Sequence, residues 1–273
     1  MRVALIQLSS GDNPAENLAE TLRYVDQAAG LGAEFILTPE VTNCVSTSRS
    51  HQQAVLTSEE HDLTLQAIRE KARTLGVWVL IGSLALKTDD PNGRFANRSF
   101  LVSPMGDIAA RYDKIHMFDV DVSETESYRE SKGYRPGTES VLATIGETPI
   151  GLTICYDVRF PYLYRALAQA GAKILTVPSA FAQTTGKAHW HVLLRARAIE
   201  TGSFLLAPAQ CGQNTPKRST FGHSLAVSPW GDILADGGTE SGVTMVDLDL
   251  DDVEKSRQRI PSLRHDREFS GPA

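Results

Sequence analysis

Three short segments of this chain carry residue types that can do nucleophilic chemistry: Leu37-Thr38-Pro39-Glu40, Tyr112-Asp113-Lys114-Ile115-His116, and the run from Gly151 to Pro161. In the last, the apolar stretch Gly151-Leu152-Thr153-Ile154 ends on Cys155 and reads as a buried strand that delivers a thiol to its tip. Pro161 suits the first turn of a helix over about Pro161 to Ala170. A cysteine near a helix N-terminus meets partial positive charge, which favours the thiolate. Taken singly, Cys155 reads as a buried structural cysteine, Glu40 as a solvated loop carboxylate and Lys114 as a surface charge. Taken together, they are an acid–base group, a cation and a nucleophile, in that chain order. Each stands at a strand tip, and in open α/β sheets ligands gather beyond the carboxyl ends of the strands.

Amide hydrolysis by a thiol needs that set: a nucleophile, a base for its proton, a donor for the oxyanion, and a proton for the departing nitrogen. The elements that must hold these groups alternate. Val3 to Leu8 reads as a strand, Asn13-Pro14 starts a helix to about Ala29 with Leu18, Leu22 and Val25 at helical spacing, and Phe35-Ile36-Leu37 is a short strand. A helix over about Glu59 to Leu75 precedes a strand from Val77 to Ile81. Such alternation predicts parallel pairing with helices on a sheet face. From Asn97 the rhythm changes to hairpins, and Lys114 follows a strand over Ile108 to Tyr112.

The second part of the chain repeats the first. The run Gly32-Ala33-Glu34-Phe35-Ile36-Leu37-Thr38-Pro39 matches Gly171-Ala172-Lys173-Ile174-Leu175-Thr176-Val177-Pro178. Val102-Ser103-Pro104-Met105-Gly106-Asp107-Ile108 matches Val227-Ser228-Pro229-Trp230-Gly231-Asp232-Ile233, each with the proline and glycine of a hairpin turn. Two matches in the same order predict two similar α/β halves, roughly 1–122 and 145–250, inside one domain over 1–273. The predicted fold is α/β, an α-β-β-α sandwich in four layers.

Composition narrows the function. With 273 residues, 41% hydrophobic, the chain can bury a large core without disulfide staples. Its three cysteines, Cys44, Cys155 and Cys211, show neither zinc spacing nor Cys-x-x-Cys, which suits a reducing cytoplasm and disfavours a redox-active dithiol. A net charge of −6 argues against a nucleic-acid partner. No apolar run reaches membrane-spanning length, and the N-terminus has no signal-peptide pattern. The expectation is a cytoplasmic protein with no membrane or nucleic-acid partner.

These motifs resemble the nitrilase superfamily of carbon–nitrogen hydrolases from about Met1 to Phe269. The matching residues are Thr38-Pro39-Glu40, Asp113-Lys114-Ile115-His116, Cys155-Tyr156-Asp157-Val158-Arg159-Phe160-Pro161, and Gly186-Lys187-Ala188-His189-Trp190 continuing to Arg195-Ala196-Arg197-Ala198-Ile199-Glu200. The resemblance implies Glu40 as general base, Lys114 as oxyanion stabiliser and Cys155 as nucleophile. It also implies the four-layer sandwich, a homodimer, a small-molecule amide substrate, and no metal or organic cofactor. A further glutamate that positions substrate falls on Glu130 by context, with Glu124 and Glu126 as competitors. Tyr156 is expected to offer its backbone N–H to the oxyanion. Arg159 either binds a substrate carboxylate or pairs with Asp157 or Glu200; Lys217 and Arg218 are either a solvated pair or carboxylate binders.

Within the superfamily, Pro178-Ser179-Ala180-Phe181, Ala209-Gln210-Cys211-Gly212 and Phe221-Gly222-His223-Ser224 resemble most the deaminated glutathione amidase group. The ω-amidases that cleave α-ketoglutaramate are the second reading, and a non-catalytic scaffold of the same fold is a third. Two residues depart from the family pattern: His191 and Tyr162 each stand where Glu is common.

Overall fold

Asn13 and Pro14 start the first helix as their types predict: the Asn13 side chain accepts from the Ala15 N–H, and the helix runs Pro14–Gly30. Its buried stripe is Asn17, Thr21, Tyr24, Val25 and Ala28, with Leu18 and Leu22 half-buried beside it. The next predicted helix is broken. Glu59–His61 is a 3₁₀ turn, and the α-helix is Leu63–Leu75, because the Asp62 carboxylate caps the Leu65 N–H and starts a new helix there. The computed structural model describes residues 1–122 and 127–272, so Glu124 and Glu126 lie outside the described residues.

Two six-stranded sheets organise the chain. In the first, Arg2–Gln7, Phe35–Leu37 and Trp78–Leu86 are parallel neighbours, and Ala96–Val102 and Ile108–Asp113 continue antiparallel. In the second, Thr148–Leu152, Ile174–Thr176 and Phe204–Ala207 form the parallel trio. Antiparallel strands flank this trio too: Val141–Ile145 on one side, Leu225–Val227 and Ile233–Asp236 on the other. The two repeated sequences fall on equivalent places. Phe35–Leu37 and Ile174–Thr176 are each the middle strand of a parallel trio. The other pair makes the same hairpin turn twice, with Ser103 N–H donating to Asp107 O and Ser228 N–H to Asp232 O, both at 2.8 Å. Gly106 and Gly231 sit at positive φ, 80° and 93°, as those turns require. One strand of the second half crosses over: Gly242–Asp247 pairs antiparallel with Arg2–Gln7 and edges the first sheet.

Strand alternation gives the layers. Val3 and Leu5 join Phe35 and Leu37 in a core shared with Leu152, Ile174 and Leu205 of the second sheet. Ala4, Ile6 and Ile36 point the other way, onto Tyr24, Val25, Leu65 and Ile68 of the two N-terminal helices. The helices Pro161–Gln169 and Gln183–Thr201 pack on the second sheet through Leu163, Leu167, Leu194 and Ala198. The order is helix, sheet, sheet, helix. At 25–30 cal/mol per Å² of apolar surface, each fully buried leucine or isoleucine contributes roughly 1.5–3 kcal/mol to this arrangement.

Candidate active site

Each predicted chemical residue leaves the end of a strand. Glu40 follows Phe35–Leu37 by a tight path, because Gly82 lets the neighbouring strand approach: a Cβ there would stand 2.0 Å from Thr38 O and 2.6 Å from Pro39 O. Ser83 then fixes the exit, its hydroxyl accepting from Val41 N–H at 2.8 Å and its carbonyl from Thr42 N–H at 2.9 Å. Val41 is held at φ 46°, a costly conformation for a β-branched residue. Cys155 is also left-handed, at φ 49°, with its N–H on Pro178 O at 3.0 Å. It opens a 3₁₀ turn, Cys155–Arg159, after the Thr148–Leu152 strand; the α-helix begins later, at Pro161.

The segment carrying Lys114 is tied to that turn by one buried carboxylate. Asp157 accepts from Tyr112 Oη at 2.7 Å, from His116 N–H at 3.0 Å and from Ile154 N–H at 2.8 Å, and lies 2.7 Å from His116 Nδ1. His116 also stacks on Phe160, centroids 3.6 Å apart. Lys114 Nζ then donates to Glu40 Oε1 at 2.8 Å and to Glu130 Oε2 at 2.9 Å. Asn97 Nδ2 donates to the same two carboxylates, at 2.9 and 3.3 Å. Glu40 Oε2 accepts from Ala180 N–H at 2.8 Å, and Glu130 Oε2 from Phe118 N–H at 2.6 Å.

These contacts set the protonation states. Burial alone would push Glu40 up; Lys114, Cys155 and Asn97 outweigh it and hold the carboxyl below its usual range. Burial alone would lower Lys114; Glu130, Glu40 and Cys155 raise it well above an ordinary lysine. The Cys155 thiol is pushed up by burial and by Glu40, which hydrogen-bonds it, and Lys114 offsets this only in part. The thiolate expected from a helix N-terminus is therefore not the resting state. The α-helix starts six residues on, and burial beside a carboxylate dominates. The resting arrangement is a protonated thiol next to an ionised carboxylate and a cation.

Glu40, Lys114, Glu130, Cys155 and Tyr156 line one cavity of about 450 Å³, of the size that takes a small ligand. Phe118 and Phe181 are among its walls, and Cys44, its thiol pushed up to about 12 by burial, lines it as well. Arg159 is not in the lining. Its guanidinium rests 5.7 Å from the Tyr156 ring centroid and 5.6 Å from that of Phe181, two residues that do line the cavity, with His189 Nδ1 at 3.2 Å. Neither carboxylate expected to pair with it does so: Asp157 holds His116 and Tyr112, and Glu200 pairs with Arg197. Lys217 and Arg218, on the hairpin formed by Cys211–Thr215 and Arg218–Phe221, do face the cavity. Arg218 donates to Ala180 O at 2.9 Å, while its buried Nε has no partner among the described residues. Trp190 and Tyr112 are core residues, and Cys211 is buried outside the cavity against Ser241.

Sequence reasoning missed two residues of this site. Asn97 carries no motif of its own, although the change of rhythm there was visible. Asp157 was read only as a partner for Arg159, when its role is to join two loops that are 41 residues apart.

A family model described as carbon–nitrogen hydrolase matches residues 2–258. A relative named deaminated glutathione amidase, from Yersinia enterocolitica, is 39% identical over 97% of this chain and 92% of its own length. The NitFhit protein of C. elegans superposes with a TM-score of 0.90 at 31% identity, over 97% of this chain and 65% of that longer one. A mutant amidase from Nesterenkonia sp. AN1, showing the result of Michael addition of acrylamide at its active site cysteine, gives 0.78 at 28% identity, over 96% of this chain and 98% of that one.

Proposed function

The chain belongs to the carbon–nitrogen hydrolase family, and we propose that it cleaves the amide bond joining the 2-oxoglutaryl group to cysteinylglycine in deaminated glutathione, through a thioester on Cys155. It is a hydrolase of amide C–N bonds; the substrate and the residue roles are our reading. The observation that carries it is the convergence of Glu40, Lys114 and Cys155, from three separate strand ends, on one cavity.

The steps follow from the protonation states. As the Cys155 sulfur attacks the amide carbon, its proton passes to Glu40, already an ionised carboxylate. The tetrahedral oxyanion is met by the Lys114 ammonium and the Tyr156 backbone N–H. Glu40 gives the proton to nitrogen, the C–N bond breaks and the amine leaves, which for deaminated glutathione is the amino group of cysteinylglycine. Water then attacks the thioester, its proton going to Glu40. The C–S bond breaks, the carboxylic acid product leaves as its anion, and the thiol is restored. Glu130 and Asn97 hold Lys114 and Glu40 in register throughout. One preorganised oxyanion donor contributes about 3–4 kcal/mol, so Lys114→Met is expected to slow turnover at least about a hundredfold.

The products expected from deaminated glutathione are 2-oxoglutarate and cysteinylglycine. Its two carboxylates need cations, and Lys217 and Arg218 at the cavity wall supply them where Arg159 does not. A homodimer is part of this proposal. Val192 and Ile199 are exposed on the Gln183–Thr201 helix, and exposed Trp230 lies beside Gly231, a glycine in contact with Ile199. A cytoplasmic location is proposed from the three unpaired cysteines; among the described residues no helix is long and apolar enough to cross a membrane.

The test is 2-oxoglutarate release from deaminated glutathione and from α-ketoglutaramate, side by side, with Cys155→Ala as control. A kcat/KM at least about tenfold higher for deaminated glutathione is expected, roughly 1.4 kcal/mol of transition-state preference. The reverse order would make the protein an ω-amidase. No release from either, with Cys155 still alkylated, would sink both substrates and leave the fold.

A further inference from the structure

The structure points to a second site, away from the thiol: we propose that His191, His223 and Asp236 form a surface site for a divalent transition-metal ion of the zinc type. Three elements supply the donors. His191 lies on the Gln183–Thr201 helix, His223 on the bend between Phe221 and Leu225, and Asp236 ends the Ile233–Asp236 strand. His191 Nε2 and His223 Nδ1 stand 3.0 and 3.1 Å from the same oxygen, Asp236 Oδ2, and the ligand atoms of all three residues lie within 4.8 Å of one another. Ligands bound at about 2.0–2.2 Å in a tetrahedron are separated by about 3.3–3.6 Å, so the set closes on an ion by small side-chain rotations.

The donors are also held. His223 has a left-handed backbone, φ 57°, fixed by its N–H on Gly238 O at 2.6 Å and by the Trp190 indole donating to its carbonyl at 2.8 Å. Its ring stacks on Phe221, centroids 4.6 Å apart. Asp236 Oδ1 accepts from Gly238 N–H at 2.9 Å, which aims the carboxylate.

Two imidazoles and one carboxylate favour zinc, cobalt or nickel over calcium or magnesium, which prefer oxygen. The side chains are about a third exposed or less, 32%, 25% and 31%, which leaves room for water in the remaining coordination positions. A bound ion would pin the helix Gln183–Thr201 to the second sheet's edge, next to the hairpin that carries Lys217 and Arg218. This site does not depend on the amidase reading.

The experiment is calorimetric titration of the purified full chain with Zn²⁺ and with Co²⁺, for the native sequence and for His191→Gln and His223→Asn. Asparagine tolerates the left-handed backbone at 223, and circular dichroism with thermal melting in chelator checks that both variants fold. The expected result is one ion per chain, with binding at least about tenfold weaker in each variant, and zinc raising the melting temperature of the native chain alone. The proposal is overturned if no ion binds, if both variants bind as the native chain does, or if zinc-edge anomalous scattering puts the ion on the Cys155 sulfur.

Discussion

At the scale of single residues, Cys155 is governed by its neighbours more than by its own place on the backbone. Glu40 raises the thiol both as a charge and as a hydrogen-bond partner. Replacing it therefore has opposite effects on two measurements. In Glu40→Gln the pH midpoint for alkylation of Cys155 should fall, because the nearby negative charge is gone while Lys114 remains, yet amide turnover should be lost with the base. A midpoint that rises instead would remove Glu40 from the thiol's surroundings. The buried pair also has a stability signature. Glu40 lies below its usual value, so its contribution is complete above pH 4.5 and is lost as pH falls through the lower folded value. Lys114 is raised, so its contribution is complete below pH 10.5 and is lost as pH rises through the higher folded value. Urea unfolding of Lys114→Met at pH 7 should show a loss of about 3–5 kcal/mol, the cost of leaving two buried carboxylates without their cation. Sequence motifs singled out Glu40, Lys114 and Cys155, which the fold brings to one cavity, because each has a local signature. Asn97 was hidden because an asparagine at a strand start has none, and the thiol's protonation state was hidden because burial is a tertiary property.

At the scale of elements, placement matters through close approaches. Gly82 is a gap through which the Thr38-Pro39 backbone passes. Gly82→Ala should shift the exit that carries Glu40. Overpacking of this kind costs typically 1–3 kcal/mol; here kcat should fall severalfold or more while KM changes little, as measured by steady-state 2-oxoglutarate release. Asp157→Asn keeps the size of the bracket but loses its charge, and should loosen the Lys114 segment from the Cys155 turn. Faster amide exchange at His116 and Ile154 would report it, and unchanged exchange would deny Asp157 that role. Local propensity made much of this scale legible. The first helix begins at Asn13-Pro14 because cap and proline are both local signals, and the repeated Ser-Pro-x-Gly-Asp turns were visible for the same reason. The break at Asp62 and the true length of Trp78–Leu86 were not. The first depends on a capping carboxylate inside a helical pattern; the second depends on pairing with Ala96–Val102. The three residues proposed to hold metal share no sequence spacing and meet only through the sheet and helix that carry them.

At the scale of the whole molecule, the two sheets and the dimer proposal belong together. The sandwich buries both inner faces, and exposed apolar side chains on the second half, among them Val192, Ile199, Trp230 and Ile233, suit the covering surface that the dimer proposal supplies. Sedimentation of the native chain at micromolar concentration should give twice the monomer mass; Ile199→Asp together with Val192→Asp should shift it toward 29.7 kDa. The crossing of Gly242–Asp247 into the first sheet has a consequence for how this molecule is made. The strand that borders Arg2–Gln7 is translated some 240 residues after it, about 12–48 s later at 5–20 residues per second. For nearly all of synthesis, the nascent chain carries an apolar strand with one edge open on the ribosome's surface. A message cut short just before the codon for Gly242 would yield a polypeptide with Glu40, Lys114 and Cys155 all present and that edge permanently bare, a substrate for chaperones and proteases.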